Sequence, residues 1–207
     1  LTKKIVKRGV TELVTPGVSM NDEVLQSNRN NFLSAIHFDR KRIGISFLDV
    51  STGEFLCGEG DADHIEKLLQ SFNPSEILIE KNHKEAFRER FGSGFYTFYL
   101  DDWIFREDAS NDILNSHFKV RSLKGFGVQD LKAGRIAAGV ALHYLAETEH
   151  KKLEHINSIH RLMEEEYVWM DRFTMNNLEL FEPSSPGGVS LLDIIDNTVS
   201  PMGSRMM

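Results

Sequence analysis

The sequence predicts an α/β domain with a mixed sheet, followed by an all-α segment. Three strand-like stretches follow one another with short polar turns between them, as antiparallel neighbours do. Two further strand-like stretches alternate with amphipathic helical patterns, which favours parallel crossover connections. Beyond residue 128 the strand-like patterns stop and the apolar residues take a helical spacing. These three observations together define the predicted fold class.

The sheet is predicted to begin with a three-strand meander. Its strands are expected at residues 32–38, 43–50 and 54–60. Ile43, Ile45 and Phe47 alternate in the second of them, and the polar turns "DRKR" and "STG" separate the three strands. Residues 1–22 precede the meander and are predicted to form an extended lead-in. Thr15-Pro16-Gly17 gives that lead-in a strong turn signal.

Helices and strands are predicted to alternate after the meander. The expected order is a helix at 65–72, a strand at 76–80, a helix at 83–91, a strand at 95–100 and a helix at 108–118. The complete series, β-β-β-α-β-α-β-α, makes a mixed sheet with helices on its faces. This is the ribonuclease-H-like layout. We therefore predict an α/β domain over residues 23–120 that carries its own covering helices.

A helical part is predicted over residues 121–207. Residues 130–149 form one long helical pattern, whose face of small residues implies close packing against other helices. A second apolar stripe runs from Met170 to Phe181, and Ser190 can cap a short helix at 190–196. A last helix would start at Ser200-Pro201, close to the final residue. We expect this helix to continue in a longer protein, because so short a helix is unstable alone.

Composition excludes several classes of function. The net charge of −7 makes the chain a poor autonomous nucleic-acid binder, because such binding relies on Lys and Arg displacing phosphate counterions. The single cysteine, Cys57, cannot form an internal disulfide or a cysteine-cluster metal site. No apolar run approaches the roughly 18 residues of a membrane span. We expect a protein of the reducing cytoplasm, without membrane contact.

The ribonuclease-H-like layout raises the hypothesis of a metal-dependent nuclease. Two-metal cleavage needs several converging carboxylates, and such folds place one in the middle of the first strand. Here that strand reads "FLSAIHF" and has no acid; Asp39 lies only in the turn beyond it. Asp49 falls at a turn, and Glu66 has no evident partner. There is also no GxxxxGK[ST] phosphate-binding loop, so we predict no catalytic, metal or cofactor residues in this chain.

Six motifs carry a resemblance to a known family. They are "VKRGVTELVTPGV" (6–18), "NNFLSAI" (30–36), "LDVSTGEF" (48–55), "KGFGV" (124–128), "MDRFTMNNLEL" (170–180) and "LLDIIDNTVSPMGSRMM" (191–207). Their order and spacing resemble the bacterial MutS family, which recognises mismatched DNA. The positions that carry most of the resemblance are Thr15, Pro16, Gly17, Asn177, Leu178, Glu179, Gly203 and Arg205. Gly9 and Val18 depart from the family pattern, which often has an acidic residue and a Thr there.

The resemblance implies a connector domain followed by the first part of the core, or lever, domain. Such a part would be non-catalytic, would transmit signals between the mismatch-binding and ATPase domains, and would offer a docking surface to MutL. Mismatched DNA, ATP and Mg²⁺ would bind only to domains outside this chain, and the full-length protein would be a homodimer. Two alternatives stay open: a divergent ribonuclease-H-like metal-dependent nuclease, and a free-standing adaptor unrelated to repair.

Overall fold

A six-stranded mixed sheet forms the centre of the molecule, in the order β5-β4-β1-β2-β3-β6. The computed structural model describes residues 15–18, 30–40, 42–148, 153–163, 170 and 172–206. The strands are β1 (Phe32–Phe38), β2 (Ile43–Asp49), β3 (Phe55–Gly60), β4 (Glu76–Glu80), β5 (Thr97–Leu100) and β6 (His160–Arg161). The helices are α1 (Ala62–Phe72), α2 (Lys84–Phe91), α3 (Glu107–Phe118), α4 (Lys132–Glu147), α5 (Arg172–Asn177), α6 (Leu191–Ile195) and α7 (Pro201–Met206).

The predicted mixed α/β layout is confirmed. β1, β2 and β3 form an antiparallel meander, and β4 and β5 add in parallel beyond β1. β1 and β4 occupy the predicted residues, whereas β5 begins at Thr97, two residues later than expected. Every helix predicted between residues 60 and 120 is present. α1 begins earlier than its apolar stripe, because Asp61 caps it by accepting a hydrogen bond from the His64 amide at 2.9 Å.

Strand alternation divides the core into two layers. On one face of the sheet, Ile36 and Phe47 join the apolar stripe of α1 and Phe87 of α2. On the other face, Leu33 and Leu48 belong to a core that includes α3 and α4. Each face is therefore covered by two helices.

The sequence prediction for the packing of helix α4 is confirmed in part. Its small residues were expected to pack closely against other helices, and α3 does so, since a Cβ atom added at Gly139 would lie 2.4 Å from Ser110. The sequence did not predict that α4 also lies across β1, β2 and β3. The contact with the sheet is very close: a Cβ atom added at Gly44 would lie 2.1 Å from the backbone of Ala133. The predicted boundary at residue 120 therefore falls inside one continuous core. Residues 23–120 do not contain all the helices that cover their own sheet.

A sixth strand was missed by the sequence analysis. β6 pairs in parallel with β3, and the Leu162 amide donates to the Cys57 carbonyl at 2.8 Å. Its two residues are His160 and Arg161, so it lacks the apolar alternation by which a strand is recognised. The prediction that strands end before residue 128 was wrong.

The last part of the described chain consists of short helices. α5 ends at Asn177, before the end of the predicted stripe, and leaves Phe173, Leu178 and Phe181 largely exposed. The predicted Ser190 cap is confirmed, since Ser190 and Asp193 form a reciprocal capping box at α6. Within the ranges described, none of the helices has the length and apolar character needed to cross a membrane.

Only part of the predicted lead-in over residues 1–22 is described. Residues 15–18 contain a 3-10 turn at Pro16–Val18, in which the Val18 amide donates to the Thr15 carbonyl at 3.1 Å. The turn predicted at Thr15-Pro16-Gly17 is therefore confirmed. Residues 1–14 and 19–22 lie outside the described residues.

Candidate functional site

The carboxylates considered for nuclease chemistry have local structural partners. Asp49, buried at the end of β2, accepts from the amides of Asn31 (3.0 Å), Ser51 (2.8 Å) and Thr52 (3.2 Å). Its acceptor oxygens therefore hold the β2–β3 turn together, as its predicted turn role requires. Asp39 likewise accepts from the Arg40 amide at 2.7 Å in the preceding turn.

The described residues contain no group of three or more His, Cys, Asp or Glu side chains that could hold a metal ion. The centre of β1 presents Ser34 and Ala35, both buried, where a ribonuclease-H-like nuclease would need a carboxylate. Glu66 lies on exposed α1 surface and accepts a long 3.4 Å hydrogen bond from Gln70. The geometry thus gives the nuclease hypothesis no support.

A different carboxylate, Glu76, accepts several hydrogen bonds, and two of them come from the lead-in. Glu76 is the first residue of β4 and is fully buried. One of its oxygens accepts from the Thr15 hydroxyl and from the Gly17 amide, the latter at 3.0 Å. Its other oxygen accepts from the Tyr144 hydroxyl of α4 at 2.9 Å. One carboxylate therefore joins the lead-in, the sheet and α4.

Tyr144, which donates to this carboxylate, also contacts the lead-in and β5. Its hydroxyl also lies 3.4 Å from the Thr15 hydroxyl oxygen, and its ring packs against Phe98 of β5 with the centroids 5.3 Å apart. Burial raises the pKa of the Tyr144 phenol, and the neighbouring Glu76 carboxylate raises it further. Tyr144 therefore stays protonated and acts as a hydrogen-bond donor to Glu76 over the physiological pH range.

The lead-in fits this place by shape as well as by hydrogen bonding. A Cβ atom at Gly17 would lie 2.8 Å from Glu76 Cβ and 3.0 Å from a methyl carbon of Leu33. Val18 is fully buried in the core that contains α4. The Asn31 side-chain amide donates to the Pro16 carbonyl at 2.8 Å. We call the group Asn31, Leu33, Glu76 and Tyr144 the Glu76 site.

The structure therefore brings Thr15, Pro16 and Gly17 together at one place. Sequence reasoning singled out these three residues but missed Glu76 and Tyr144, which hold them. One signal was available: an acidic residue opens the strand "EILIE" directly before its three apolar residues, and a buried carboxylate requires donors. Nothing in the sequence indicated that Tyr144, over 60 residues later, supplies one of them.

A second group of predicted positions lies where α5 ends. Asn177 is the exposed last residue of that helix, and Leu178 is also exposed. Glu179 has a left-handed backbone with φ of +50°, which is uncommon for a residue other than glycine. Its side chain accepts from the Ser184 amide at 3.0 Å, and hydrogen bonding by the Ser184 side chain and by this amide lowers the pKa of Glu179. Its carbonyl accepts from the Leu191 amide at 2.9 Å, so Glu179 joins α5 to the start of α6.

The remaining predicted positions lie in α7. The Ser200 hydroxyl caps this helix by accepting from the Gly203 amide at 3.1 Å, as its sequence predicts. A Cβ atom at Gly203 would lie 3.2 Å from both the Ser200 hydroxyl and Thr198, so glycine allows close approach of the cap. Arg205 is part of α7, and its side chain lies outside what the structure describes.

Comparison with known proteins identifies a family match for the part of the chain that forms most of the sheet and its covering helices. The family model of MutS domain II matches residues 31–157, a range that contains β1 to β5 and α1 to α4. The chain is 61% identical over 207 residues to the DNA mismatch repair protein MutS of Flavobacterium psychrophilum. Identity is 60% to the protein of the same name from Christiangramia forsetii and 55% to that from Parabacteroides distasonis. In all three the match covers the whole chain and 24% of the relative, so this chain spans about a quarter of their length.

A solved structure of fowlpox virus resolvase with Holliday junction DNA is a much weaker match. It aligns with 56% of this chain at 14% identity and a TM-score of 0.40, which is too low a likeness to support an argument. The family model covers more than half of the chain and the relatives match all of it. This chain therefore belongs to the MutS family of DNA mismatch repair proteins.

Proposed function

We propose that this chain is the connector, with the first part of the lever, of a MutS mismatch-recognition protein. In this role it performs no chemistry and transmits conformational changes between mismatch-binding and ATPase parts of the longer protein. Those other parts bind the mismatched DNA, ATP and Mg²⁺, and the complete protein works as a homodimer in the cytoplasm. The domain II match over residues 31–157 carries this proposal.

The packing of the domain supports a mechanical role. A part that transmits movement must be stiff, and the contacts of α4 with three strands make the sheet and this helix one body. The lead-in is bonded to the same body through the Glu76 site. A displacement of the lead-in would therefore act on the sheet and on α4 together.

We also propose that this domain provides a docking surface for MutL. Transient interfaces are small and partly polar, so an affinity in the micromolar range is expected. The domain should bind without nucleotide control, because the phosphate-binding loop of the family is absent from these 207 residues.

The test is a titration of the cognate MutL N-terminal region against the 207-residue chain. Residues 23–120 alone are unsuitable, because they lack α4. The expected result is saturable binding that is unchanged by ATP, whereas full-length MutS binds in an ATP-dependent manner. Absence of binding at high micromolar concentration, while full-length MutS binds in parallel, would reject a docking surface in this domain. The Gly44→Ala variant, in which we expect the packing of α4 to be disrupted, serves as a control for dependence on the fold.

A further inference from the structure

We propose that the Glu76 site is a binding site for the Thr-Pro-Gly-Val segment at residues 15–18, and that this segment can bind and leave while the sheet stays folded. The ligand is a four-residue peptide supplied by the same chain. The site has a polar part, formed by Glu76, Tyr144 and Asn31, and an apolar part, formed by Leu33 and the core beside α4.

Each residue of the segment has a separate reason for its identity. The Thr15 hydroxyl donates to Glu76, and Pro16 has the backbone angle that a 3-10 turn needs while its carbonyl accepts from Asn31. Gly17 donates its amide to Glu76 from a position where a Cβ atom would collide with Glu76 and Leu33. Val18 fills the apolar part completely. The site therefore discriminates by sequence and does not merely accept any extended chain.

The buried Glu76 carboxylate needs hydrogen-bond donors, and this gives the site two states, one with the segment bound and one with the segment released. A buried carboxylate is costly unless donors satisfy it, and two of its three described donors come from the segment itself. When the segment leaves, Glu76 keeps only the Tyr144 hydroxyl and must take up water in place of the lost donors. Binding of the segment is therefore coupled to the hydration of Glu76, and the two events occur together.

The proposed binding site is argued from these contacts alone. Only its role in transmitting movement rests on the proposed function. If the domain transmits movement, this site sets whether residues 15–18 are attached to the sheet or released from it. A connector of this kind would have a coupled state and an uncoupled state. The two states differ in whether residues 15–18 donate hydrogen bonds to the buried Glu76 carboxylate.

The experiment is amide hydrogen exchange, resolved at Gly17 by NMR, on the complete 207-residue chain. The amide of Phe47, in the centre of β2, reports global unfolding in the same sample. We expect Gly17 to be protected in the unaltered chain. Thr15→Val keeps the shape but removes the hydroxyl, and should accelerate Gly17 exchange about ten- to hundredfold, the effect of losing one hydrogen bond to a charged acceptor.

Matched variants separate the site from general destabilisation. Thr15→Ser keeps the hydroxyl and should keep most of the protection, whereas Tyr144→Phe should accelerate Gly17 exchange with the Thr15 hydroxyl intact. Gly17 should be less protected than Phe47 in the unaltered chain and in both Thr15 variants, because the segment leaves while the sheet stays folded. The proposal is overturned if Gly17 is unprotected in the unaltered chain, if Thr15→Val has no effect, or if Gly17 is as strongly protected as Phe47, because the segment would then leave only on global unfolding. MutL binding does not enter this measurement, so the two proposals can fail separately.

Discussion

The close contact between α4 and the sheet predicts a large effect of a single methyl group. In Gly44→Ala, the new Cβ atom would lie 2.1 Å from the carbonyl carbon and oxygen of Ala133 and 2.6 Å from the Gly134 nitrogen. These are backbone atoms of the first turn of α4, so no side chain can rotate away. Ordinary contact begins near 3.4 Å, and α4 must therefore retreat by more than 1 Å along a contact with three strands.

The cost of that retreat can be estimated from its parts. Overpacking a core typically costs about 1–3 kcal/mol and occasionally more. Because the obstruction is backbone and the contact is broad, we expect Gly44→Ala to lie at or above the upper end, at roughly 3 kcal/mol. A gain of about 0.5–1 kcal/mol from replacing glycine in a strand offsets only part of this. Such a loss is a large share of the roughly 5–15 kcal/mol that stabilises a typical domain.

Urea unfolding followed by circular dichroism measures the effect, with two variants for comparison. Gly58→Ala in β3 would place its Cβ atom 3.2 Å from the Cβ atom of Leu162, which needs a shift of only a few tenths of an ångström, so we expect a loss below about 1 kcal/mol. Gly94→Ala meets nothing within 4 Å and should be neutral. The reasoning is refuted if Gly44→Ala unfolds at the same urea concentration as Gly94→Ala, because α4 would then not contact β2 as described.

Three further predictions follow from the same structure. A chain ending at residue 120 should lack a cooperative unfolding transition, whereas one ending at residue 163 should keep it, because only the longer chain contains α4. Asp49→Ala should cost roughly 2–4 kcal/mol in urea unfolding, since it removes the acceptor of three backbone amides. Burial raises the pKa of the Cys57 thiol to about 12 from 9.0, so the native state holds its proton where the unfolded state loses it. Stability should therefore fall by about 1.4 kcal/mol more in the unaltered chain than in Cys57→Ala when the pH rises to 10.

Local patterns predicted the sheet well, for reasons visible in particular residues. β1 and β2 alternate apolar residues of two opposite faces, and the turn between β2 and β3 carries Asp49, whose side chain holds the turn amides. Both features are encoded within a few neighbouring residues. The Ser190 cap of α6 is equally local and was also predicted, whereas the reciprocal role of Asp193 was not.

The failures concern contacts between distant residues. Helix α4 has small or apolar residues on most of its surface, which indicates burial but does not say whether helices or strands surround it. β6 is a strand only because it reaches the edge of β3, and its His-Arg sequence has no strand character of its own. The Glu76 site joins residues 61 and 68 positions apart, so no local pattern could reveal it.

The two ends of α4 are held by different physical forces, and this difference suggests how the domain could move. At its start, Ala133 and Gly134 are locked against β2 and β3 by backbone contacts that leave no room for sliding. In its last turns, Tyr144 is held by a hydrogen bond to Glu76, and the Tyr144 carbonyl accepts from the Thr148 hydroxyl at 2.9 Å. Close packing has no alternative arrangement of similar energy, whereas a hydrogen bond to a carboxylate can be exchanged for water. If the lead-in leaves the Glu76 site, we therefore expect α4 to stay fixed at its start and to adjust at its end, where the chain continues toward α5.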